Sequence, residues 1–423
     1  MFIFYNLIFI VFAIFYLPVY LFKRKFHRGF LMRLGFLPQE IISALKDEKV
    51  IWLHAVSVGE AKVAKILYEY LKRDYPAYRI AISTVTATGN SIVGKFIRKE
   101  DAAFYFPLDL SFIVKRIIAL FNPKLFISFE TEIWPNLICQ LYQNKIPQIL
   151  VNGRISDRSF GGYKMIRFLL KRILSKIDLF CMQTPIDSER ITFLGAPEER
   201  VKVTGNMKFD ITDYTDKKTT DSADKLSLDK EEELWVCGST HPGEEEIILE
   251  VYKRLLSEFP NLRLLIAPRH VERSDKIEGL IEKYGFNPLR ISNLSFSSFV
   301  SRPSSIFILD TIGQLQQFYS LATVVFVGGS LVKKGGQNII EPASVEKPII
   351  FGPYMFNFAD IVQIFLRQNS AIMVKSQEEL YQAIKKLLKN PDQARILGQA
   401  AKIVALENRG ATGRVLEAIK KYL

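Results

Sequence analysis

The sequence predicts an α/β protein of two Rossmann-like domains facing a cleft, with an N-terminal membrane anchor helix. Three observations carry this expectation. Short apolar, β-branched runs alternate with helical stretches along most of the 423 residues, the signature of parallel sheets covered by helices. The alternation is interrupted once, at 213–233, by a segment rich in Asp, Lys, Ser and Thr. The first 22 residues are almost wholly apolar, with Asn6 alone plainly polar.

Composition narrows the function. Hydrophobic residues make up 48% of the chain and charged residues 24%, so sizeable cores are expected. Cys139, Cys181 and Cys237 stand far apart, which argues for a reducing compartment and against a disulfide framework. Four histidines leave little room for a zinc site, and no metal is expected. The formal net charge of +13 suits nucleic acid or an anionic membrane surface. No zinc finger or aromatic-interleaved RNA motif is present, so nucleic acid is not the expected partner.

In chain order, residues 1–22 match the length of a membrane helix of about 20 residues. No positive segment precedes them and no small-residue cleavage site follows. By the positive-inside rule the basic cluster Lys23-Arg-Lys-Phe-His-Arg28 then places the rest of the chain on the cytoplasmic side of the membrane. Whether the helix spans the bilayer or lies on it stays open. Stretches 29–35 and 38–46 read as basic and amphipathic, on the membrane surface.

The first domain, 23–212, holds strands at 50–54, 79–84, 103–106, 125–129, 148–151 and 179–182. Helices are expected at 61–72, from 89, and at 112–120, 134–143, 163–175 and 186–194. The segment 213–233 is the expected interdomain linker. The second domain, 234–423, holds strands at 234–237, 262–267, 306–309, 323–327, 348–351 and 371–374, then a helical end at 377–423.

Loops that follow strands open on one sheet edge, where α/β proteins bind ligands. After the first strand, Ser57-x-x-Glu60 is either a helix-capping box or a carboxylate placed to take a proton. Glu130 and Glu132 follow another strand, and Glu132 also reads as a solvated helix start. Arg154 and Arg158 suit phosphate or carboxylate, although one of them can simply pair with Asp157. Lys208 lies just before the linker.

In the second domain, Gly238-Ser-Thr-His-Pro-Gly-Glu-Glu245 offers backbone N–H groups for a phosphate. Pro268-Arg269 ends a strand, and Ile312-Gly313-Gln314 allows close approach. The densest stretch is Gly328-Gly329-Ser330 through Gly335-Gly336-Gln-Asn338-Ile339-Ile340-Glu341-Pro342. Asn338 is the expected cap of a short helix at 339–345, whose positive end points back at the loop. Neither Asp-x-Asp nor a Walker A motif occurs.

Together these stretches resemble the bacterial 3-deoxy-D-manno-octulosonic acid (Kdo) transferase family specific for lipid A, over nearly the whole chain. The resemblance implies a GT-B fold and metal-independent, inverting transfer of Kdo from CMP-Kdo to a lipid A precursor in the inner membrane. It implies Glu60 as general base, with Glu130 and Lys208 stabilising the transition state. It implies CMP binding by Pro268, Arg269, Ile312, Gly313, Gln314, Asn338, Ile339, Ile340 and Glu341, with no cofactor. Gln314 stands where the family often has Glu, and Gln337 where it often has His.

Overall fold

The computed structural model describes residues 5–6, 29–211, 226, 231–293 and 305–423. Of the expected anchor only Tyr5 and Asn6 are among them, and most of the expected linker lies outside the described residues. Tyr5 Oη donates to Asp109 Oδ2 at 3.1 Å and Asn6 Nδ2 to Ser111 Oγ at 2.8 Å. Among the described residues no helix is long and apolar enough to cross a membrane.

The chain forms two compact units, Met1–Ile211 with Arg409–Leu423, and Thr212–Asn408. Each is a parallel α/β sheet, in keeping with the expected fold class. The first unit pairs β1 (Val50–His54), β2 (Arg79–Thr84), β3 (Ala102–Tyr105), β4 (Leu125–Phe129), β5 (Gln148–Gly153), β6 (Leu179–Met182) and β7 (Val201–Val203). Their order is β3-β2-β1-β4-β5-β6-β7. Side chains alternate between the two faces of a strand. In β1, Ile51 and Leu53 therefore pack with Ala64, Leu67 and Leu71 of one helix layer, while Val50 and Trp52 pack with Phe104, Val114 and Phe121 on the other face. Burial on both faces explains why these strands read as unbroken apolar runs.

The second unit pairs β8 (Glu233–Thr240), β9 (Leu262–Pro268), β10 (Asn287–Arg290), β11 (Ser305–Ile308), β12 (Val324–Val327), β13 (Ile349–Phe351) and β14 (Ile372–Met373). The order is β10-β11-β9-β8-β12-β13-β14. In both sheets the order reverses beside the first strand, at β1/β4 and at β8/β12. Such switch points open a crevice at the strands' carboxyl ends.

The sequence gives no sign of β7 or β10. Val201-Lys-Val is short and Asn287-Pro-Leu-Arg is polar, and each forms a strand by pairing at a sheet edge with β6 or β11. The helix expected at 163–175 is two helices, Asp157–Met165 and Arg167–Leu174, parted at Ile166.

The second domain, expected to run to 423, ends earlier. Helix Ala411–Ile419 packs on the first unit, burying Ala411, Val415, Ala418 and Ile419 in the core that holds Leu67 and Leu71. The Asp210 carboxylate takes the Gly410 and Thr412 N–H groups at 2.7 and 2.6 Å, satisfying donors at that helix start. A helical period identifies the apolar stripe but not the sheet that covers it.

Candidate active site

In the first unit the switch point gathers carboxylates. Glu60 sits in the first turn of helix Val58–Asp74, directly after β1. Ser57 Oγ accepts the Glu60 N–H at 3.3 Å, and Glu60 Oε1 accepts the Ser57 N–H at 3.2 Å, completing the capping box. Glu60 Oε2 also accepts the Val56 N–H at 2.8 Å. The side chain is buried, and burial, helped by the Glu130 charge, pushes its carboxyl up to about 7. The capping reading of Glu60 is thus met, and the same carboxyl is raised toward neutral pH.

Glu130 directly follows β4 with a left-handed φ of 58°, a conformation a non-glycine residue holds only when its surroundings impose it. Its Oε1 lies 3.0 Å from Lys208 Nζ, in the short 3₁₀ turn Met207–Ile211. That turn is fixed by Asn152 at the end of β5, whose Oδ1 accepts the Met207 N–H at 2.9 Å. Asn152 also has a left-handed φ, 55°. The structure thus brings together Glu130 and Lys208, and couples Glu60 to Glu130 electrostatically.

Glu132 belongs to the same cluster. It is not a solvated helix start, because the helix begins at Pro135 and Glu132 is half-buried. Burial, then the charges of Glu60 and Glu130, push it up to about 7. The sequence shows its nearness to Glu130 but not its desolvation. His54 is fully buried, stacked on Phe106 with ring centroids 3.8 Å apart, and burial lowers its imidazole to about 3. Asp157 pairs with Arg190.

In the second unit Pro268 ends β9 and Arg269 follows it, exposed, its N–H bonded to the Thr240 carbonyl at 3.0 Å. Ile312 is 81% exposed. Gly313 takes a φ of 90°, and Gln314 Oε1 accepts from Thr311 Oγ1 at 2.6 Å. Asn338 Oδ1 accepts the Ile340 N–H at 3.0 Å, and its Nδ2 donates to Glu341 Oε1 at 3.3 Å. The helix is shorter than expected, Ile340–Ser344, with Ile339 at the cap position. Ile339 and Ile340 are fully buried. These segments follow β9, β11 and β12, all at carboxyl ends, and each is held by its own local bonds.

The glycine loop differs from expectation in what its N–H groups hold. Glu244, fully buried, accepts Gly329 N–H at 2.6 Å and His241 N–H at 2.9 Å through Oε2. Its Oε1 accepts Ser330 and Leu331 N–H, both at 2.9 Å. The chain's own carboxylate fills this nest. Close contact between the β8 and β12 loops requires glycine at 328, where a Cβ would lie 2.6 Å from the Ser239 carbonyl oxygen. Thr240 is committed too, donating to Glu245 Oε1 at 2.9 Å. Glu245 in turn holds Arg273 through two bonds of 2.8 and 3.1 Å. Among the described residues no group of three His, Cys, Asp or Glu is placed to hold a metal ion.

Comparison with known proteins agrees with this architecture. A family model described as 3-deoxy-D-manno-octulosonic-acid transferase (kdotransferase) matches residues 28–211. The 3-deoxy-D-manno-octulosonic acid transferase of Haemophilus influenzae is 38% identical over 376 residues, 88% of this chain and 87% of its own. A bifunctional glycosyltransferase/methyltransferase of Fusobacterium nucleatum is 40% identical over 83% of this chain but 55% of its own, so the chain spans about half of that relative. A solved glycosyltransferase from Rickettsia africae superposes with a TM-score of 0.57, covering 89% of this chain and 98% of its own at 14% identity. That last likeness is one of fold alone.

Proposed function

The chain belongs to the 3-deoxy-D-manno-octulosonic acid transferase family, and we propose that it transfers Kdo from CMP-Kdo to a lipid A precursor in lipopolysaccharide biosynthesis. The observation that supports this most is Glu60. A carboxyl desolvated to about 7 at a sheet switch point is tuned to take a proton near neutral pH. In the proposed step Glu60 removes the proton of the acceptor hydroxyl. The freed oxygen bonds to the anomeric carbon of Kdo from the face opposite the phosphate. The bond from that carbon to the phosphate oxygen breaks, CMP leaves with the electron pair, and the anomeric centre is inverted. The Glu130–Lys208 pair lies beside the base and stabilises charge as it develops.

On the donor side, Arg269 and the segments at 312–314 and 338–341 receive CMP. A monophosphate leaving group carries little enough charge for arginine and backbone groups to neutralise it, and the lack of an Asp-x-Asp motif fits a reaction that needs no metal. The acceptor is an acylated, phosphorylated disaccharide in the inner membrane. The apolar residues 1–22 and the basic cluster at 23–28 suit an enzyme held at its cytoplasmic face.

The test is purified protein with CMP-Kdo and a tetraacylated lipid A precursor, in EDTA, with products read by mass and Glu60→Gln alongside. Added Kdo mass with wild type and none with the variant is expected, and its count gives the number of units transferred. Folded wild-type protein that yields no product overturns the proposal.

A further inference from the structure

We propose that His241 is a ligand for an oxyanion of the sugar-nucleotide donor, received at Nε2 in the cation cluster that follows β8. The inference rests on the donor reading above and goes beyond the donor segments named there.

Glycine-rich loops at such switch points ordinarily meet anions with backbone N–H groups. Here Glu244 already accepts from Gly329, Ser330 and Leu331. With His241, four N–H donors converge on its two oxygens, so the carboxylate acts as a built-in anion and withdraws those amides from a second one. An anionic donor then calls for other groups nearby, side chains among them.

His241 is the side chain placed to do so. Its own N–H is fixed by Glu244, so the residue moves with the loop. Its ring lies against Gly329, where a Cβ would stand 3.1 Å from the imidazole Cδ2. Its Nε2 is buried without a hydrogen-bond partner. A buried polar atom left unsatisfied is costly, and a ligand removes that cost.

The surroundings are cationic. The His270 ring stands 6.1 Å away at 83°, and Arg269, Arg273 and Lys334 all act on His241. Two carboxylates, Glu244 and Glu245, face the same loop and offset part of this charge. Glu244 is saturated by backbone donors, and Glu245 is committed to Arg273. Arg269 and Lys334 have no ion-pair partner among the described residues. Burial first, and then these cations, hold the free imidazole down to about 4. An oxyanion at Nε2 reverses the local field, and the ring takes up a proton to donate to it.

The donor offers two oxyanions, the CMP phosphate and the Kdo carboxylate, and the test separates them. CMP and CMP-Kdo are titrated calorimetrically into wild-type protein and His241→Gln, in buffers of different ionisation heat so that proton uptake is read. Binding of CMP should be weakened about tenfold or more in the variant, with uptake lost, if the phosphate is the ligand. Equal CMP binding with weakened CMP-Kdo binding assigns the carboxylate. Equal affinity and equal uptake for both ligands overturn the inference alone. Wild-type protein that binds neither overturns the donor reading, and the inference with it.

A second measurement does not depend on the variant's fold. The protein has four histidines, so the His241 ring proton can be followed by NMR. Its midpoint should sit near 4 in the free protein and rise by about three units, to near neutral pH, when donor saturates. A midpoint that stays in place with donor bound also overturns the inference.

Discussion

Lys208 Nζ stands 3.0 Å from Glu130 Oε1, joining the turn after β7 to the end of β4 across 78 positions of sequence. Both side chains are partly exposed, so the pair contributes about 0–1 kcal/mol to stability. Under the proposed function its role is chemical. Lys208→Met should lower kcat about tenfold or more while the melting temperature scarcely moves. Steady-state rates beside thermal unfolding check this. An equal loss of stability and rate would make the pair structural.

Glu60→Gln separates capping from catalysis. Glutamine at this position still serves a capping box. Turnover should fall by about 10²–10⁴, the usual range for a general base. Stability should show the opposite sign at high pH. The folded carboxyl is raised from 4.5 to about 7, so its stabilising contribution is full below 4.5 and is lost as pH rises through 7. The variant lacks that loss, and should match wild type near pH 4 and equal or exceed it at pH 8. Urea unfolding at both pH values measures the difference.

Under the proposed function the same carboxyl sets the acid limb of the rate profile. A base must be deprotonated, so kcat/KM should climb with pH and level off above a midpoint near 7. Glu132 is also raised to about 7, in part by Glu60 and Glu130, so the limb belongs to a coupled group. Glu132→Gln removes a like charge and should move the midpoint to lower pH. An unmoved midpoint would show that Glu132 does not share the proton balance.

Much of this was legible in the sequence because apolar runs, caps and glycines report local physics. The loops bearing Glu60, Glu130 and Arg269 were placed at strand ends by the alternation of runs alone. Three things were hidden because they depend on distant partners. Glu132 looks solvated until its burial is known. Glu244 looks like one of three acidic residues at a helix start, yet it fills the nest made by Gly329–Leu331, some 85 positions on. β7 and β10 exist only through their neighbours' edges.

Glu244→Ala tests that hidden contact. It leaves the Gly329, Ser330, Leu331 and His241 N–H groups without their acceptor in a buried site, costing at least about 3 kcal/mol. The loop that carries His241 should loosen with it, so CMP binding should weaken as well. Denaturant unfolding and calorimetry on the same protein read both effects. A variant as stable as wild type would show that the nest accepts water in place of the carboxylate.

The final helix gives a test of the domain boundary itself. Ile419 and Val415 are fully buried with Leu67 and Leu71 of the first unit. Ile419→Ala should therefore cost about 2–5 kcal/mol. The loss should fall on the first unit, although the residue lies at the far end of the chain. Hydrogen exchange read by mass resolves this. Peptides from β1 and from helix Val58–Asp74 should lose protection, while those from β8 and β12 keep theirs. Had the chain divided as the sequence suggested, with 234–423 as one body, the loss would appear in β8 and β12 instead. The Asp210 carboxylate gives a second handle, since it caps the same helix through Gly410 and Thr412. Asp210→Ala should expose the same first-unit peptides, with a smaller cost of about 0.5–2 kcal/mol.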